Sequence, residues 1–247
     1  MKITFYIIFF IVLFKIKSAN TPEYLNIWVV WNVGQGQWVS HVLSDECFHY
    51  DMGGEFGSFK NIKKKLLHLC GTKINKLNLS HWDYDHFANI PSLSQTLPKI
   101  CWQNKPEFGI TKKAVQKILN LNIPDCHQLD ANLKIWKPLT AQNTNESSMI
   151  FYTEQVLITG DSPIKKEKIW AYELSSILST RVLILGHHGS RTSTGDILLS
   201  KLNNLNYSIA SARYLKYKHP HQDTLSRLSK YQIPVLKTED WGNIWFK

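Results

Sequence analysis

The sequence of 247 residues has few of the features that mark several common protein classes. Only four cysteines are present and none form a Cys-x-x-Cys pair, so a zinc site built from thiolates is not expected. Charged residues make up 19% of the chain, and no low-complexity tract or fixed-period repeat occurs, which argues against extensive disorder and repeat architectures. No apolar run approaches the roughly 20 residues that a bilayer-spanning helix needs. These absences favour a globular protein.

The N-terminus nevertheless carries a targeting pattern. Lys2 precedes an apolar run over residues 3–14, and the small residues Ser18 and Ala19 follow. We predict that residues 1–19 are a secretory signal peptide, with a short retained membrane anchor as the alternative. The protein is then expected in the periplasm or outside the cell, with membrane contact only through an uncleaved N-terminus.

Acidic residues are scarce relative to basic ones, 19 against 29, which gives a formal net charge of +10. Residues 1–19 hold three lysines and no acid, so the remainder carries +7. A basic surface favours polyanions such as nucleic acid or an anionic membrane surface. The lysine run 63–65 fits equally well as the solvated face of an amphipathic helix that buries Ile62, Leu66 and Leu69.

Strand-like and helix-like segments alternate over residues 24–247 without an obvious linker, which predicts a single α/β domain with layered sheets and helices. The cysteines are Cys47, Cys70, Cys101 and Cys126. In an exported protein they can form one or two disulfides, and buried free thiols are the alternative.

The most informative segment is Ser-His-Trp-Asp-Tyr-Asp-His over residues 80–86, directly after a predicted strand. His81 and Asp83 point the same way by the two-residue period of extended chain, and Asp85 and His86 can face a second position. Two imidazoles with two carboxylates suit divalent ions such as Zn²⁺ or Mn²⁺. A polar surface turn would not explain why similar residues recur at two later strand ends.

Those two strand ends are Thr159-Gly160-Asp161 and Gly186-His187-His188-Gly189-Ser190. An acid placed after an apolar strand and a glycine can reach across the top of a sheet. Asp161 could therefore bridge two metal ions ~3.5–4 Å apart, a spacing that serves in-line displacement at phosphorus. The histidine pair supplies a further ligand and a group that faces the substrate.

Together the three segments resemble the ComEC-type competence proteins, a branch of the metallo-β-lactamase superfamily. Other motifs in the expected order agree, and the resemblance covers residues 26–246. These motifs are Asn-Val-Gly-Gln-Gly-Gln at 32–37, Asp-Met-Gly-Gly at 51–54, Asn-Glu-Ser-Ser at 145–148 and His-Pro-His at 219–221.

The resemblance implies a four-layer αββα metallo-β-lactamase sandwich with two divalent metal ions, Zn or Mn, and hydrolysis of a phosphodiester by a metal-bridging hydroxide. One ion would be held by His81 and Asp83 and the other by Asp85 and His86. Asp161 would bridge them and His188 would complete the second site. The expected catalytic groups are His187 near the phosphate and His219 at the rim, where it could protonate the leaving oxygen. Ser190 and Arg191 are the expected substrate-binding residues.

DNA is the substrate and partner that the resemblance implies, with no nucleotide cofactor. Two other functions stay open, an esterase for phosphorylcholine or another small or surface-polymer phosphodiester, and a DNA-binding protein without catalysis. The last is motivated by Asn32 and Gln37, which stand where the family usually has aspartate. Neither is an expected ligand, so altered metal affinity or rate is expected rather than loss of the site.

The targeting pattern makes a first prediction. Mass spectrometry of the exported protein should find an N-terminus between Ser18 and Thr21, because the small residues there suit signal peptidase. An intact Met1 recovered in the membrane fraction would instead identify the segment as a retained anchor.

Overall fold

The computed structural model describes residues 25–128, 130, 132–153 and 155–247, so the predicted signal segment lies outside the described residues. Two six-stranded sheets organise the described chain. The strands are β1 Asn26–Val30, β2 Trp38–Leu43, β3 Glu46–Met52, β4 Ile74–Asn78, β5 Ile100–Asn104, β6 Lys134–Trp136, β7 Ile150–Tyr152, β8 Val156–Ile158, β9 Val182–Ile184, β10 Tyr207–Ala210, β11 Val235–Lys237 and β12 Ile244–Phe246. The helices are α1 Phe59–Cys70, α2 Tyr84–Phe87, α3 Ile90–Ser94, α4 Lys113–Leu119, α5 Ile164–Glu173, α6 Asp196–Lys201, α7 Tyr214–Tyr217, α8 Gln222–Lys230 and α9 Thr238–Trp241.

The first sheet has the strand order β12-β1-β2-β3-β4-β5, and the second has the order β11-β10-β9-β8-β7-β6. In the first sheet β3, β4 and β5 run parallel, and in the second β8 to β11 run parallel. Parallel neighbours place their carboxyl ends at one edge of each sheet, where the chain leaves the strands into loops.

Three apolar clusters fill the spaces between neighbouring layers. One packs β1 and β4 against α1 and α4, and another packs β8 and β9 against α5, α6 and α8. The third lies between the two sheets and includes Tyr50 and Phe151. Side chains alternate accordingly along each strand: Trp28 and Val30 face the other sheet, whereas Val29 faces the outer helices. The expected four-layer αββα fold class is therefore confirmed.

The predicted elements differ from the structure mainly at their ends. The sequence pattern predicts one hairpin partner over residues 38–50, but these residues form β2 and most of β3. It also predicts a helix over 164–178, but α5 ends at Glu173 and a short 3₁₀ turn follows. Ser58 has the residue type and position of an N-cap for α1, but it makes no capping bond, and its hydroxyl accepts a hydrogen bond from Asn89. The short strands β6 and β12 were not predicted.

All four cysteines are paired, as Cys47–Cys70 and Cys101–Cys126. The first bond joins β3 to the end of α1, and the second joins β5 to the segment after α4. The alternative of buried free thiols is therefore wrong. The bonds span 23 and 25 residues, and loop closure of that length stabilises a folded chain by about 3 kcal/mol per bond in the chain-entropy model. Among the described helices, none has the length and apolarity needed to cross a membrane.

A buried carboxylate fixes the loop that follows the histidine pair. Glu167 on α5 is 1% exposed and accepts hydrogen bonds from the backbone N–H groups of Thr194 at 2.5 Å and Gly195 at 2.7 Å. Burial raises the pKa of Glu167 to about 7, although these two N–H donors and Arg227 lower it in part. The folded protein therefore holds this proton more tightly than the unfolded chain does.

This raised pKa predicts a pH dependence of stability. The contribution of Glu167 is fully present below its unfolded pKa of 4.5 and is lost as the pH rises through about 7. Wild type should lose free energy of unfolding between pH 5 and pH 8 relative to Glu167→Gln, as measured by urea denaturation. The exposed Glu107→Gln serves as the control and should follow wild type. Parallel pH curves for wild type and Glu167→Gln would contradict the assignment.

Candidate metal centre

The predicted ligand residues meet where the carboxyl ends of β4, β8 and β9 come together, so the two sheets each contribute to one cluster. The segments after β4 and β8 can approach each other closely because residue 160 is a glycine with φ +50°. A Cβ atom there would lie 2.7 Å from the Ser80 hydroxyl oxygen. The backbone N–H of Met149 also donates to the Ser80 carbonyl at 2.9 Å. A side chain at position 160 would separate the two halves of the cluster.

Asp161 lies at the centre of the cluster and is 3% exposed. Its Oδ2 is 3.8 Å from Nε2 of His81 and 3.5 Å from Nε2 of His187. Its Oδ1 is 3.0 Å from Nε2 of His86 and 3.9 Å from Nε2 of His188. The two carboxylate oxygens thus face different imidazoles, which is the arrangement a bridging carboxylate requires.

Two overlapping groups of potential ligand atoms, each within 4.8 Å of one another, are present among the described residues. One contains His81, His86 and Asp161, and the other contains Asp85, His86 and His188. Ligand atoms about 2.0–2.1 Å from a tetrahedral ion lie roughly 3.4 Å apart. The 3.1 Å between His188 Nε2 and Asp85 Oδ2 is close to that separation.

Each of the three ligand imidazoles has its Nδ1 next to an acceptor. His86 donates from Nδ1 to Asp51 at 2.8 Å, and His188 donates to the carbonyl of Ser211 at 3.0 Å. The Ser80 hydroxyl donates to Asp51 and so accepts from Nδ1 of His81, at 2.9 Å. These bonds leave the Nε2 atom of each ring directed into the cluster, as in metal-binding histidines.

Three of the cluster atoms are buried without a hydrogen-bond partner: Nε2 of His81, Nε2 of His86 and Oδ1 of Asp161. The last two are 3.0 Å apart but are not aligned for a hydrogen bond. Leaving a buried polar atom unpaired costs about 1–3 kcal/mol, and a cation would remove that cost. The residues present therefore fit divalent metal ions with imidazole and carboxylate ligands.

Asp83 lies outside both groups, although its Oδ2 is 3.5 Å from Nε2 of His81. The same oxygen accepts a hydrogen bond from the Thr144 hydroxyl at 2.9 Å, and Oδ1 accepts one from Lys112 at 3.2 Å. Burial raises the pKa of Asp83, but the His81, Thr144 and Lys112 contacts lower it by more, to about 2. Asp83 is therefore an ionised carboxylate beside His81, and it is already held by two further groups.

The charges of the cluster compensate one another. Burial lowers the pKa of His86, but the carboxylates of Asp161 and Asp51 raise it by more, so it lies well above the ordinary value. Burial raises the pKa of Asp161, and His86, His188 and His81 depress it well below the ordinary value. The buried carboxylate thus stays ionised and available to a cation.

The histidine pair follows β9 in a strained turn. His187 and His188 have φ values of +49° and +56°, in the left-handed region, and the His187 N–H donates to the Gly160 carbonyl at 2.9 Å. The turn directs His188 into the interior, where its side chain is 1% exposed, whereas His187 is 29% exposed. Asn145 and Thr192 approach Nδ1 of His187 at 3.4 Å. His188 is therefore the buried member and His187 the one that faces outward.

His219 lies beside His187 at the rim, with ring centres 5.9 Å apart. Gln35 lies between His219 and Arg213. Its Oε1 accepts from the Arg213 backbone N–H at 3.2 Å, so its Nε2 donates to Nδ1 of His219 at 3.2 Å. This contact places the ring proton of neutral His219 on Nε2. Burial and the neighbouring His188 and His187 lower the pKa of His219 to about 4, so the ring is neutral at pH 7.

Of the other residues that the sequence singles out, some are exposed beside the site and others are buried or occupied by hydrogen bonds. Arg191 is exposed beside the turn, whereas Ser190 is 7% exposed and its hydroxyl bonds Thr192 rather than facing outward. Trp82 lies between the ligands His81 and Asp83, where an aromatic residue could stack a base or cover an apolar rim. It is 1% exposed and donates to the Pro106 carbonyl, so it packs in the core. Of the two amides that depart from the family pattern, Gln37 donates to Asp51 at 2.7 Å, and Asn32 bonds at the turn to Gly34.

Sequence reasoning missed the residues that hold the ligands in place. Asp51 and Gln35 belong to the motifs at 51–54 and 32–37, for which the sequence suggested no role. Their presence in these motifs was the one indication in the sequence that they matter for the site. Lys112 and Thr144 lie in loops with no pattern of their own, 29 and 61 residues from Asp83. Only the folded structure brings them to the site.

The architecture is that of the metallo-β-lactamase fold. Among solved structures, YhfI from Bacillus subtilis, a metallo-β-lactamase fold protein, superposes with a TM-score of 0.58 at 13% identity, over 90% of this chain and 98% of that one. A diphosphatase of the PhnP family superposes with a TM-score of 0.52 at 9% identity, over 90% and 97% of the two chains. No protein-family model matches the chain.

Sequence similarity points to a narrower group. The chain is 30% identical to Recombination protein 2 of Haemophilus influenzae, over 96% of this chain and 30% of that protein. It is 26% identical to Competence protein ComA of Neisseria gonorrhoeae, over 93% of this chain and 33% of that protein. The chain thus spans about a third of the length of these relatives. The resemblance to the metallo-β-lactamase-fold domain of ComEC-type competence proteins is confirmed.

The cluster generates a prediction about metal content. Reconstituted protein should hold close to two divalent ions per chain by elemental analysis, and Zn²⁺ or Mn²⁺ should raise its unfolding midpoint. Asp161→Ala should lose metal and most of that thermal shift, because each oxygen of Asp161 faces a different imidazole. His68→Ala, at an exposed position of α1, is the matched control. Folded wild type that takes up no metal would refute the dinuclear site.

Proposed function

We propose that this protein is a dinuclear metal-dependent hydrolase that cleaves phosphodiesters, with DNA as its substrate. The observation that carries the proposal is the set of three imidazoles, each with Nδ1 against an acceptor and Nε2 facing the carboxylate cluster. Such preorganised nitrogen ligands are what a tightly held metal centre requires. The fold and the competence relatives support the reaction class.

In this proposal His81 and Asp83 would hold one ion, and Asp85, His86 and His188 would hold the other. Asp161 would lie between the two ions as a shared ligand. The short distances from Asp161 to His81 and His86, and from His188 to Asp85, support these roles. Asp83 is supported by its ionised state and its 3.5 Å approach to His81. Zn²⁺ and Mn²⁺ are the candidate ions because both accept mixed imidazole and carboxylate ligands.

When bound, divalent cations polarise a phosphoryl group and lower the pKa of water enough for it to attack at neutral pH. The outward-facing His187 then contacts a phosphoryl oxygen, and its Nδ1 neighbours Asn145 and Thr192 fix the ring. Ser190 shapes this loop through Thr192, and exposed Arg191 contacts a neighbouring phosphate. The chain thus binds the phosphodiester on the side of the turn that carries His187.

His219 assists the leaving oxygen. Gln35 occupies Nδ1 as a donor, so the neutral ring presents Nε2–H to the site. A pKa of about 4 disfavours full protonation, and positive ions nearby would lower that pKa further. We therefore propose that neutral His219 donates a hydrogen bond from Nε2 to the departing oxygen and does not act as a cationic general acid.

The rings near His219 favour a nucleic acid over a choline ester. Binding a quaternary ammonium group relies on open aromatic faces. Tyr214 and Tyr217, just before His219, already lie under the ammonium groups of Lys218 and Lys216, at 5.6 and 4.8 Å from the ring centres. These lysines repel a choline head group and attract phosphates.

Export is part of the proposal, and the two disulfides support it because such bonds persist in oxidising compartments. The competence relatives suggest that the DNA is met during uptake. A DNA-binding protein without catalysis is the remaining alternative, since Asn32 and Gln37 differ from the family pattern. It is disfavoured because neither amide lies in the cluster and all six proposed ligands are present.

The deciding experiment offers the metal-loaded protein single-stranded DNA, duplex DNA, bis(p-nitrophenyl) phosphate and p-nitrophenyl phosphorylcholine. We expect turnover of DNA and of bis(p-nitrophenyl) phosphate, with little turnover of the choline ester. Turnover of the choline ester alone would establish the esterase, and tight DNA binding without turnover would establish the binding protein.

The electrostatic part of the proposal has its own test. DNA affinity should fall roughly fifty-fold or more between 50 and 200 mM salt if about four phosphates are contacted. Arg191→Glu should weaken binding more than charge reversal of Lys63, Lys64 and Lys65 together. Arg191 is exposed beside the histidine turn, whereas the three lysines lie on α1, which packs its apolar side on the first sheet. The opposite ranking would place the DNA on α1, and salt-independent affinity would remove the case for a polyanion.

A further inference from the structure

We propose that a cavity beside Asp83 binds the nucleoside attached to the scissile phosphate, an inference that rests on the proposed function. The cavity has a volume of about 370 Å³ and lies between two loops, residues 106–112 and residues 141–147. Its walls include Phe108, Lys112, Gln142 and Thr144.

The cavity adjoins the metal cluster through two of its lining residues. Lys112 and Thr144 line it, and the same two side chains bond the two oxygens of Asp83, at 3.2 and 2.9 Å. The residue after Thr144, Asn145, approaches Nδ1 of His187 at 3.4 Å, so the loop that lines the cavity also reaches the outward-facing histidine. A group attached to a phosphate between His187 and Asp83 would therefore enter this cavity.

The lining suits a planar, uncharged, hydrogen-bonding group next to a phosphate. Phe108 is 39% exposed, so part of its ring is free to stack on a base. Gln142 is exposed at the mouth and offers an amide donor and acceptor to a base edge. The Lys112 side chain is 49% exposed, so its ammonium group can bond Asp83 and a phosphate oxygen together.

The same lysine excludes a cationic group. A quaternary ammonium in the cavity would lie near the Lys112 ammonium with only one aromatic ring, Phe108, in the described lining. Phosphorylcholine recognition relies on several rings around the cation. The cavity thus selects for a nucleoside over choline through repulsion as well as attraction.

The loop that forms one wall is held rigidly enough to act as a specificity element. Glu146 is 3% exposed, forms ion pairs with Lys165 and Lys166 of α5, and accepts a hydrogen bond from the Gln142 N–H. Lys166 also donates to the Thr140 carbonyl at 2.7 Å.

The test compares two chromogenic esters, thymidine 5′-(p-nitrophenyl phosphate), which carries a nucleoside, and bis(p-nitrophenyl) phosphate, which does not. Wild type should prefer the thymidine ester in kcat/KM. Phe108→Ala touches no proposed ligand and should reduce that preference about five- to tenfold through KM. Lys112→Glu should reduce it at least as far and, compared with wild type, should raise the ratio of p-nitrophenyl phosphorylcholine turnover to bis(p-nitrophenyl) phosphate turnover, a ratio that corrects for any loss of metal at Asp83. Lys113→Glu, one residue further along and exposed, is the matched control with unchanged ratios.

The ratio of kcat/KM for the two esters distinguishes failure of the cavity proposal from failure of the proposed function. Equal turnover of both esters by wild type, or equal losses on both in Phe108→Ala, would overturn the cavity while leaving the phosphodiesterase intact. Absence of turnover with either ester in metal-loaded protein would instead refute the proposed function. Circular dichroism and an unchanged urea-unfolding midpoint show whether Phe108→Ala is folded.

Discussion

The active-site region depends on one buried carboxylate that the proposed chemistry does not touch. Asp51, at the end of β3, is fully buried and accepts hydrogen bonds from the Ser80 N–H and hydroxyl, from Gln37 and from His86. Burying a charge without partners costs several kcal/mol, so these contacts must form together. One side chain thereby links the entry to β2, the end of β4 and α2. The orientation of His86 follows from this network, and that of His81 follows through Ser80.

The glycines of the two flanking motifs make this arrangement sterically possible. A Cβ atom at Gly53 would lie 1.6 Å from the Asp85 carbonyl oxygen, and one at Gly36 would lie 2.6 Å from the same atom. The Gln37 N–H donates to that carbonyl at 3.0 Å. The backbone of the ligand segment is therefore pressed against two glycine turns. This contact explains why motifs without any ligand accompany the ligands in the sequence.

The sequence could predict the ligand cluster because strand ends obey a simple rule. Apolar runs that end near His81, Asp161 and His188 identify three strands, and parallel strands of one sheet gather their carboxyl ends at one edge, which brings Asp161 and His188 together. That His81, from the other sheet, joins them was implied by the family resemblance and not by this rule. The contacts of Asp83 could not be predicted in this way, since Lys112 and Thr144 come from loops whose position depends on tertiary packing. The strands β6 and β12 have only three residues each, too few for a periodic pattern. Disulfide pairing was equally open, because spacing alone does not reveal which loops lie together.

The position of β12 has a consequence for the order in which the fold can assemble. β12, at Ile244–Phe246, pairs with β1, at Asn26–Val30, so the first sheet joins the earliest described strand to the latest one, which forms its edge. The second sheet lies between them in the chain, and it supplies Asp161 and His188 to a cluster begun by His81. The first sheet therefore cannot close until residues 244–246 have been made. Until then β1 lacks a partner on one side, and the nascent chain must be kept from pairing with other chains there.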